Sequence, residues 1–234
     1  MTRPLPPISR EPIGGAFLAR LLGPAPQVIL EIGANHGMHT ELFLRTFPGA
    51  RVHAFEPDPR AAAAFRKRIT DRRATLHELA IGASSGRAEF HVSSGMPPDA
   101  TPEVRAQYKD GWDQSGSLRA PKTHKEKWPW CKFQRTIKVE VRTLDAWSRK
   151  HEPGPIDFIW ADTQGAEADL VAGGRETLAR TRYFYTECFD DELYEGAPNL
   201  ASLLDMLPGF EIVKRYESDV LLRNAALTQA PASA

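Results

Sequence analysis

The order of apolar runs along the chain predicts alternating strands and helices. Residues 27–32 form a compact apolar run bounded by glycine, and residues 38–47 then carry apolar side chains at helical spacing. The same order, a strand and then a helix, follows at residues 51–55 and 60–69, and a third strand is predicted over residues 74–81. Strands that are joined through helices pair in parallel, because a tight hairpin cannot reach a parallel neighbour.

The second half of the chain returns to this alternation and then departs from it. Residues 156–161 and 183–187 predict two further strands, and a helical segment over 166–180, interrupted by two adjacent glycines, lies between them. A helix is predicted at 198–207, and the two alternating runs within 210–223 have the short separator of an antiparallel hairpin. We therefore expect an α/β fold with a mostly parallel seven-stranded sheet, a C-terminal antiparallel hairpin and helices on both faces.

The middle of the chain is less regular. Residues 87–92 and 137–141 alternate like exposed or edge strands, whereas residues 93–135 between them show no sustained periodicity. An irregular insertion of this length usually has a function or is mobile. Its end is rich in aromatic and basic side chains, so we expect either a lid over a substrate or a solvated loop packed on the sheet. Ser115 and Ser117 within it are candidates for contact with a ligand.

The two ends of the chain are predicted to lie outside the fold. Four prolines among the first dozen residues favour an extended arm over residues 1–13, because proline fixes φ and lacks a backbone donor. Residues 225–234 are predicted to form a disordered tail. The expected single domain therefore covers residues 14–224 and contains the insertion at about 93–135.

Charge and composition narrow the classes of partner. The chain has 234 residues, with 30 basic and 30 acidic side chains and therefore no formal net charge. A general binder of nucleic acids or anionic membranes uses a broad positive field, which this balance removes. No segment approaches the roughly 18 apolar residues of a membrane helix, and the N-terminus lacks the pattern of a signal peptide. We expect a soluble protein.

The cysteines indicate a reducing compartment. Cys131 and Cys188 are far apart in the sequence and form neither a zinc-type pair nor a disulfide framework. We expect both to be free thiols, which favours the cytoplasm as the location. No cluster of histidines or cysteines specifies a metal ion, so the prediction is that the site holds none.

The clearest chemical signal lies where the first strand turns into its helix. The segment reads Glu31-Ile-Gly33-Ala34-Asn35-His-Gly37. Glycine permits a positive φ and a close approach of the backbone to a ligand, and asparagine is the non-glycine residue that best tolerates left-handed geometry. The start of a helix also offers unpaired N–H donors. A ligand is therefore expected to lie directly on this turn.

Two acids near this turn indicate the type of ligand. Glu31 would repel a pyrophosphate but suits the ammonium of a cofactor that carries an amino acid, so S-adenosylmethionine fits better than NAD. Glu56 ends the second strand, where a carboxylate can accept hydrogen bonds from both hydroxyls of a ribose. NAD enzymes use that position too, so the choice depends on Glu31 and on the lack of a G-x-G-x-x-G loop.

A second acidic group is predicted at the same edge of the sheet. Asp162 follows the strand over 156–161, and Glu187 ends the strand over 183–187. Ligands of open α/β sheets collect at the carboxyl ends of the strands, so these two carboxylates should face one crevice. Either is a candidate for the catalytic base that takes a proton from a hydroxyl group. The alternatives are an acceptor for the cofactor amine, a metal ligand and, for Asp162, a helix N-cap.

Taken together, these segments resemble one family. The motifs that are similar to those of FkbM-type methyltransferases are, in chain order, Glu31-x-Gly33-Ala34-Asn35-x-Gly37 with Thr40, Phe55-Glu56-Pro57, Thr143-Leu144-Asp145, Ile156-Asp157-Phe158 and Asp162-x-Gln164-Gly165-Ala166-Glu167. The resemblance spans roughly residues 27–190. It implies a Rossmann-like class I methyltransferase fold and transfer of a methyl group from S-adenosylmethionine to a hydroxyl of a sugar, polyketide or related metabolite.

The resemblance also implies roles for single residues. It places the methionine end of the cofactor beside the first turn, the ribose at the end of the second strand and the adenine at the end of the third. The residues expected to bind the cofactor are Glu31, Gly33, Ala34, Asn35, Gly37, Thr40, Glu56 and Ala80. The chain departs from the family at Gln164, where many members carry a carboxylate, so a mechanism that needs that acid is not expected.

Three other functions remain open from the sequence. An RNA or other nucleic-acid methyltransferase would use the basic insertion, although the neutral charge and the lack of an N-P-P-Y-like motif oppose it. A nicotinamide-dependent Rossmann oxidoreductase would share Glu56, and a non-catalytic binding module would share the fold. The expected acceptor is a small molecule or a glycan, and the sequence carries no signal for the oligomeric state.

Overall fold

Strands and helices alternate through most of the chain, as predicted. The computed structural model describes residues 5–228. The strands within these residues are β1 (Val28–Ile32), β2 (Arg51–Phe55), β3 (Ala74–His77), β4 (Ala80–Ile81), β5 (Gly86–Ser94), β6 (Lys132–Arg142), β7 (Ile156–Ala161), β8 (Thr181–Glu187), β9 (Phe210–Arg215) and β10 (Asp219–Asn224). The helices are α1 (Gly15–Leu22), α2 (Met38–Thr46), α3 (Pro59–Arg68), α4 (Pro102–Gln107), α5 (His124–Lys127), α6 (Leu144–His151), α7 (Glu167–Gly173), α8 (Arg175–Ala179) and α9 (Leu200–Met206).

The main sheet has seven strands in the order β3-β2-β1-β7-β8-β10-β9. The first five of these are parallel, and β10 runs antiparallel to both β8 and β9. Ile32 at the end of β1 lies beside Phe55 of β2 on one side and Ala161 of β7 on the other. The carboxyl ends of the central strands therefore meet at one edge, and the predicted fold is confirmed.

Helices cover both faces of this sheet. Val28, Leu30 and Ile32 of β1 belong to a buried cluster that also contains apolar residues of α6, α7, α8 and α9. Ile29 belongs to a second cluster, on the other face, with apolar residues of α1 and α2. All five residues of β1 are buried. A parallel strand that is covered on both faces reads as a continuous apolar run, which is why the sequence identifies it clearly.

Two predicted elements are each divided in the structure. The strand expected over 74–81 splits, since β3 pairs with β2 whereas β4 pairs with β6, and the N–H of Leu79 turns back to the carbonyl of His77. The helix expected over 166–180 is broken between α7 and α8 at Gly174. A Cβ atom on Gly173 would collide with the backbone of Gly82, so packing requires the glycine pair that interrupts the helix.

The insertion is more regular than its sequence indicates. β5 and β6 extend into both ends of residues 93–135 and pair with each other in antiparallel register, Phe90 opposite Ile137. With β4 they form a separate three-stranded sheet in the order β4-β6-β5. Residues 137–141 were expected to form an exposed or an edge strand; β6 is not an edge strand, because it lies at the centre of this sheet, but its side chains are largely exposed. The second sheet carries the rest of the insertion toward the carboxyl edge of the main sheet.

The described parts of the two ends contact the fold. In the predicted arm, Ile8 forms a parallel bridge with Arg215, and residues 1–4 lie outside the described residues. In the predicted tail, Thr228 is buried and its hydroxyl donates a hydrogen bond to the carbonyl of Asn224. Residues 225–228 are therefore ordered in the structure. Residues 229–234 lie outside the described part of the chain. The division into arm, single domain and tail stays a prediction.

None of the helices between residues 5 and 228 is long and apolar enough to span a bilayer.

Candidate active site

A cavity of about 580 Å³ lies at the carboxyl ends of β1, β2, β7 and β8. This volume is typical of sites for small ligands, and β1 is the strand from which the chain proceeds to both sides of the sheet, where ligands of open α/β folds collect. The wall is completed by residues 112–116, by Leu118 and by aromatic residues near the end of the insertion. The cavity therefore joins the predicted cofactor turn, the predicted acid pair and the insertion in one site.

The turn after β1 has the predicted left-handed geometry. The φ angles of Gly33, Asn35 and Gly37 are 87°, 45° and 79°. A Cβ atom on Gly33 would collide with the backbone carbonyl of Asp162, and one on Gly37 would overlap the ring of Phe65. Both glycines are thus required by close packing within the protein, in addition to any approach of a ligand. Gly33 lines the cavity together with Ala34 and Asn35.

Three predicted cofactor residues do not line the cavity: Glu31, Gly37 and Thr40. Glu31 is fully buried and accepts a hydrogen bond from the hydroxyl of Thr40. Within residues 5–228 its other oxygen, Oε1, has no hydrogen-bond partner, and Nδ1 of His39 lies 3.5 Å from it. The Glu31–Thr40 pair supports the turn from behind, and contact of these residues with a cofactor stays a prediction.

Glu56 lies in the cavity wall at the end of β2, as predicted. Its Oε2 accepts a hydrogen bond from the N–H of Asn35 at 2.8 Å, and its Oε1 accepts one from the N–H of Asp58 at 2.7 Å. Burial raises the pKa of this carboxyl group to about 8, against the lowering effect of the two backbone donors. Leu79, Ala80 and Ile81 form an apolar wall of the same cavity, so Ala80 is also where the sequence places it.

Asp113, which was not predicted from the sequence, ties the insertion to the cofactor turn. Its Oδ1 accepts a hydrogen bond from Nδ2 of Asn35 at 3.0 Å, and its Oδ2 lies 3.0 Å from Nε2 of His36. His36 also stacks on Tyr108 of the insertion, with ring centroids 5.0 Å apart. In the sequence, Asp113 is marked only as an acid next to Trp112. No local pattern relates it to a turn 78 residues away, so its contact with that turn could not be predicted.

Asp162 and Glu187 face the same cavity, as predicted, and Gln164 joins them. Nε2 of Gln164 donates to Oδ1 of Asp162 at 2.6 Å and to Oε2 of Glu187 at 2.9 Å. Burial raises the pKa of both carboxyl groups, and that of Glu187 lies well above its ordinary value because Asp162, Glu167 and Asp219 add negative charge nearby. Both carboxyl groups therefore favour the protonated form more than a free acid does, and Glu187 favours it more strongly than Asp162.

Part of the cavity wall is aromatic. This part includes Trp112, Trp128, Trp130 and Phe189, of which the first three belong to the insertion. The rings of Trp112 and Trp130 meet edge to face with centroids 5.4 Å apart. His39, a further lining residue that the sequence analysis did not select, stacks against Trp160 with centroids 4.1 Å apart.

The two serines singled out in the insertion have different surroundings. Ser115 lines the cavity, and its backbone carbonyl oxygen lies 2.8 Å from the hydroxyl oxygen of Tyr194. Ser117 is fully buried and its hydroxyl donates to the backbone carbonyl of Gln164 at 2.7 Å. The insertion is thus bonded to the turns after both β1 and β7. Its role as a lid over a substrate stays a prediction.

The model of the methyltransferase FkbM domain matches residues 31–216 of the chain. The chain belongs to the FkbM methyltransferase family. Among curated proteins, it is 45% identical over 215 residues to the 2-O-methyltransferase NoeI of Sinorhizobium fredii, a match that covers 90% of this chain and 84% of NoeI. The resemblance stated from the motifs is confirmed, and so is the prediction of a methyltransferase.

Similar solved structures have low sequence identity to this FkbM methyltransferase. The rRNA methylase of Streptococcus thermophilus is 13% identical, with a TM-score of 0.46, and the match covers 90% of this chain and 93% of that one. The precorrin-6y C5,15-methyltransferase of Geobacter metallireducens is also 13% identical, with a TM-score of 0.43 and coverage of 88% and 82%.

The cofactor of this FkbM methyltransferase is S-adenosylmethionine, as predicted. The lining residues fit that group, because the carboxylate of Glu56 and the apolar wall at Ala80 lie on the side of β1 nearest β2, where a ribose and an adenine would be held. The nicotinamide oxidoreductase and the non-catalytic module are thereby set aside. Among residues 5–228, no group of three or more His, Cys, Asp or Glu side chains is arranged to hold a metal ion.

Proposed function

We propose that this enzyme transfers a methyl group from S-adenosylmethionine to a hydroxyl group of a sugar or a related small metabolite. The observation that carries the proposal is the cavity itself, whose wall combines the cofactor turn, the acid pair and aromatic side chains of the insertion. The similarity to a 2-O-methyltransferase supports a hydroxyl as the acceptor, and we propose the 2-position of a sugar ring as the first site to test.

The proposed cofactor contacts follow the geometry of the two turns. Gly33, Ala34 and Asn35 would hold the methionine end, Glu56 would accept hydrogen bonds from the ribose, and Ala80 would contact the adenine. Glu31 would accept a hydrogen bond from the ammonium group, and Gly37 and Thr40 would support Glu31 from behind the turn. The Oε1 atom of Glu31, which has no hydrogen-bond partner among the described residues, supports this assignment. An ammonium there would supply the donor that this buried oxygen lacks.

Asp162 or Glu187 is proposed as the base that takes the proton of the acceptor hydroxyl. Both carboxyl groups line the cavity, and Asp162 directly follows the strand beside β1, so it is close to the cofactor turn. The bound cofactor supplies an electrophilic methyl group on a positively charged sulfur. The protein contributes alignment, which corresponds to about 7 to 11 kcal/mol in well-oriented reactions, and a base typically adds about 10² to 10⁴ in rate.

The aromatic wall supports a sugar as the acceptor. Sugar rings have apolar C–H faces that pack on aromatic rings, while their hydroxyl groups need polar partners such as the acid pair. Lys127 lies over the ring of Trp128, with its Nζ 5.3 Å from the centroid. The balanced charge of the chain suits a small acceptor better than a nucleic acid, which requires a track of cations along its backbone.

We also propose the cytoplasm as the location of the enzyme. Both Cys131 and Cys188 are free thiols in the structure, which supports a reducing compartment.

The proposal is tested by methyl transfer from isotopically labelled S-adenosylmethionine to a panel of reducing sugars, short glycans, polyketide alcohols and RNA. We expect labelled sugar, with the methylated oxygen assigned by NMR, and no label on RNA. Asp162→Asn should abolish turnover while Asp205→Asn, the same change on an exposed residue of α9, should not. Label on RNA alone, or full turnover by Asp162→Asn, would contradict the acceptor class or the assigned base.

A further inference from the structure

Gln164 occupies an unusual position between the two acids of the cavity. Its φ is 52° and that of the next residue, Gly165, is 94°, so the backbone turns sharply after β7. A Cβ atom on Gly165 would meet the side chain of Tyr194, so only glycine lets Tyr194 pack against this turn. The turn directs the side chain of Gln164 back toward the carboxyl ends of β7 and β8.

The side chain of Gln164 is held at both of its polar atoms. The two hydrogens on Nε2 are directed to Asp162 at 2.6 Å and to Glu187 at 2.9 Å. Its Oε1 accepts a hydrogen bond from the hydroxyl of Tyr194 at 2.9 Å. The same hydroxyl lies 2.8 Å from the carbonyl of Ser115 in the cavity wall. A neutral amide is therefore fixed between two carboxyl groups and cannot release either without losing a hydrogen bond.

The surroundings of the pair make the two acids unequal. Both acids lie near the carboxyl groups of Glu167 on α7 and Asp219 on β10. Burial and these charges raise the pKa of Glu187, whereas the hydrogen bond from Gln164 and the proximity of His39 oppose the rise at Asp162, so a proton shared by the pair belongs on Glu187. The titratable groups that face the pair from all elements packed against it are His39, Glu167, Cys188, Tyr185, Tyr194 and Asp219.

We propose that Gln164 is a positioning residue that keeps Asp162 ionised beside a protonated Glu187, so that Asp162 is the base of the reaction. This inference rests on the proposed transfer to a hydroxyl group and selects between the two acids named there. In the step, the hydroxyl proton passes to Asp162, the oxygen electron pair forms the bond to the methyl carbon, and the carbon–sulfur pair remains on sulfur, which becomes a neutral thioether. Glu187 keeps its proton throughout.

Replacement of Gln164 should change the titration of Asp162. Gln164→Met keeps the length of the side chain but removes both donors, so the ionised form of Asp162 loses its hydrogen bond and the carboxyl group should titrate about one pH unit higher. Gln164→Glu adds a third carboxyl group and should shift it in the same direction. Tyr194→Phe frees only the far end of the amide and should produce a smaller shift.

The test is a carboxyl ¹³C NMR titration of the full-length enzyme without acceptor, with signals assigned through Asp162→Asn and Glu187→Gln. In the wild type, we expect Asp162 to titrate at a lower pH than Glu187. In Gln164→Met, the difference between the two titration midpoints should narrow or disappear. Gln134→Met, the same change on the exposed side of β6, should leave both signals unchanged. Titration of Glu187 below Asp162, or no change in Gln164→Met, would overturn the proposal.

The pH profile of kcat separates this role from a purely structural one. If Gln164 positions Asp162, Gln164→Met should move the acidic limb of the profile to higher pH and leave the affinity for S-adenosylmethionine unchanged. Misfolding would instead lower kcat at every pH. If Gln164→Met does not fold, as judged by thermal melting, Tyr194→Phe provides the same comparison. If no sugar accepts a methyl group, the proposed function is contradicted. The NMR titration uses no acceptor, so it still tests the role of Gln164 in that case.

Discussion

The buried carboxyl group of Glu56 makes a quantitative prediction about cofactor affinity. Because burial raises its pKa to about 8, the acid form should predominate roughly tenfold at pH 7, and ionising it should cost about 1.4 kcal/mol. A ribose that donates two hydroxyl hydrogen bonds binds the ionised form. Affinity for a nucleoside at this position should therefore rise about tenfold between pH 7 and pH 9, and binding at pH 7 should release a proton.

The assay uses 5′-methylthioadenosine, which keeps the ribose and adenine but lacks the titratable amino group of the cofactor. Calorimetry from pH 7 to pH 9, in buffers of different ionisation enthalpy, measures both the affinity and the proton released. Glu56→Gln should abolish the pH dependence and weaken binding about 10- to 100-fold at pH 9, since a charge-assisted hydrogen bond contributes about 1.5 to 3 kcal/mol. Glu89→Gln, on the exposed side of β5, is the matched control.

Glu56→Gln should also reduce stability. At pH 9, where the group is ionised, the carboxylate accepts hydrogen bonds from two backbone N–H groups, of Asn35 and Asp58, whereas the amide offers one acceptor and places an NH₂ group against the other donor. An unsatisfied buried donor costs about 1 to 3 kcal/mol, so the Tm should fall by several degrees. Wild-type affinity that does not change between pH 7 and pH 9, or a variant that retains the pH dependence, would refute this account of Glu56.

Three further predictions follow from the packing around the site. Gly33→Ala should destabilise the protein by more than about 2 kcal/mol in chemical denaturation, because the residue has a positive φ and its Cβ would collide with backbone, whereas Gly49→Ala has open space and should be neutral. Asp113→Asn should release the insertion from the cofactor turn and speed its cleavage in limited proteolysis, with unchanged cleavage counting against the tie. Burial lowers the pKa of His53 and His77 to about 4, so the unfolded chain takes up protons first, and thermal stability should fall as the pH drops from about 6.5 to about 4. A Tm that is flat over this range would contradict the burial of these rings.

The local pattern of residues was sufficient to predict the main sheet and the turn after β1. Strand and helix periods differ, and residues 27–32 and 156–161 are apolar enough to mark buried parallel strands without reference to any partner. The left-handed geometry at Gly33 and Asn35 could also be predicted, since few residue types tolerate it. The placing of Asp162 and Glu187 at one edge followed from topology, because parallel strands share the direction of their carboxyl ends.

The contacts that shape the site could not be predicted in this way, because they join residues that are distant along the chain. Asn35 bonds to Asp113 across 78 positions, and Gln164 reaches Glu187 across 23. The direction of the Glu31 side chain could not be predicted either. β1 is buried on both faces, so its apolar sequence does not show which face a given side chain enters. The period of hydrophobic positions in the sequence determines which strands and helices form. Packing of the sheet, the helices and the insertion against one another decides which polar atoms meet, and hence which acid keeps its proton.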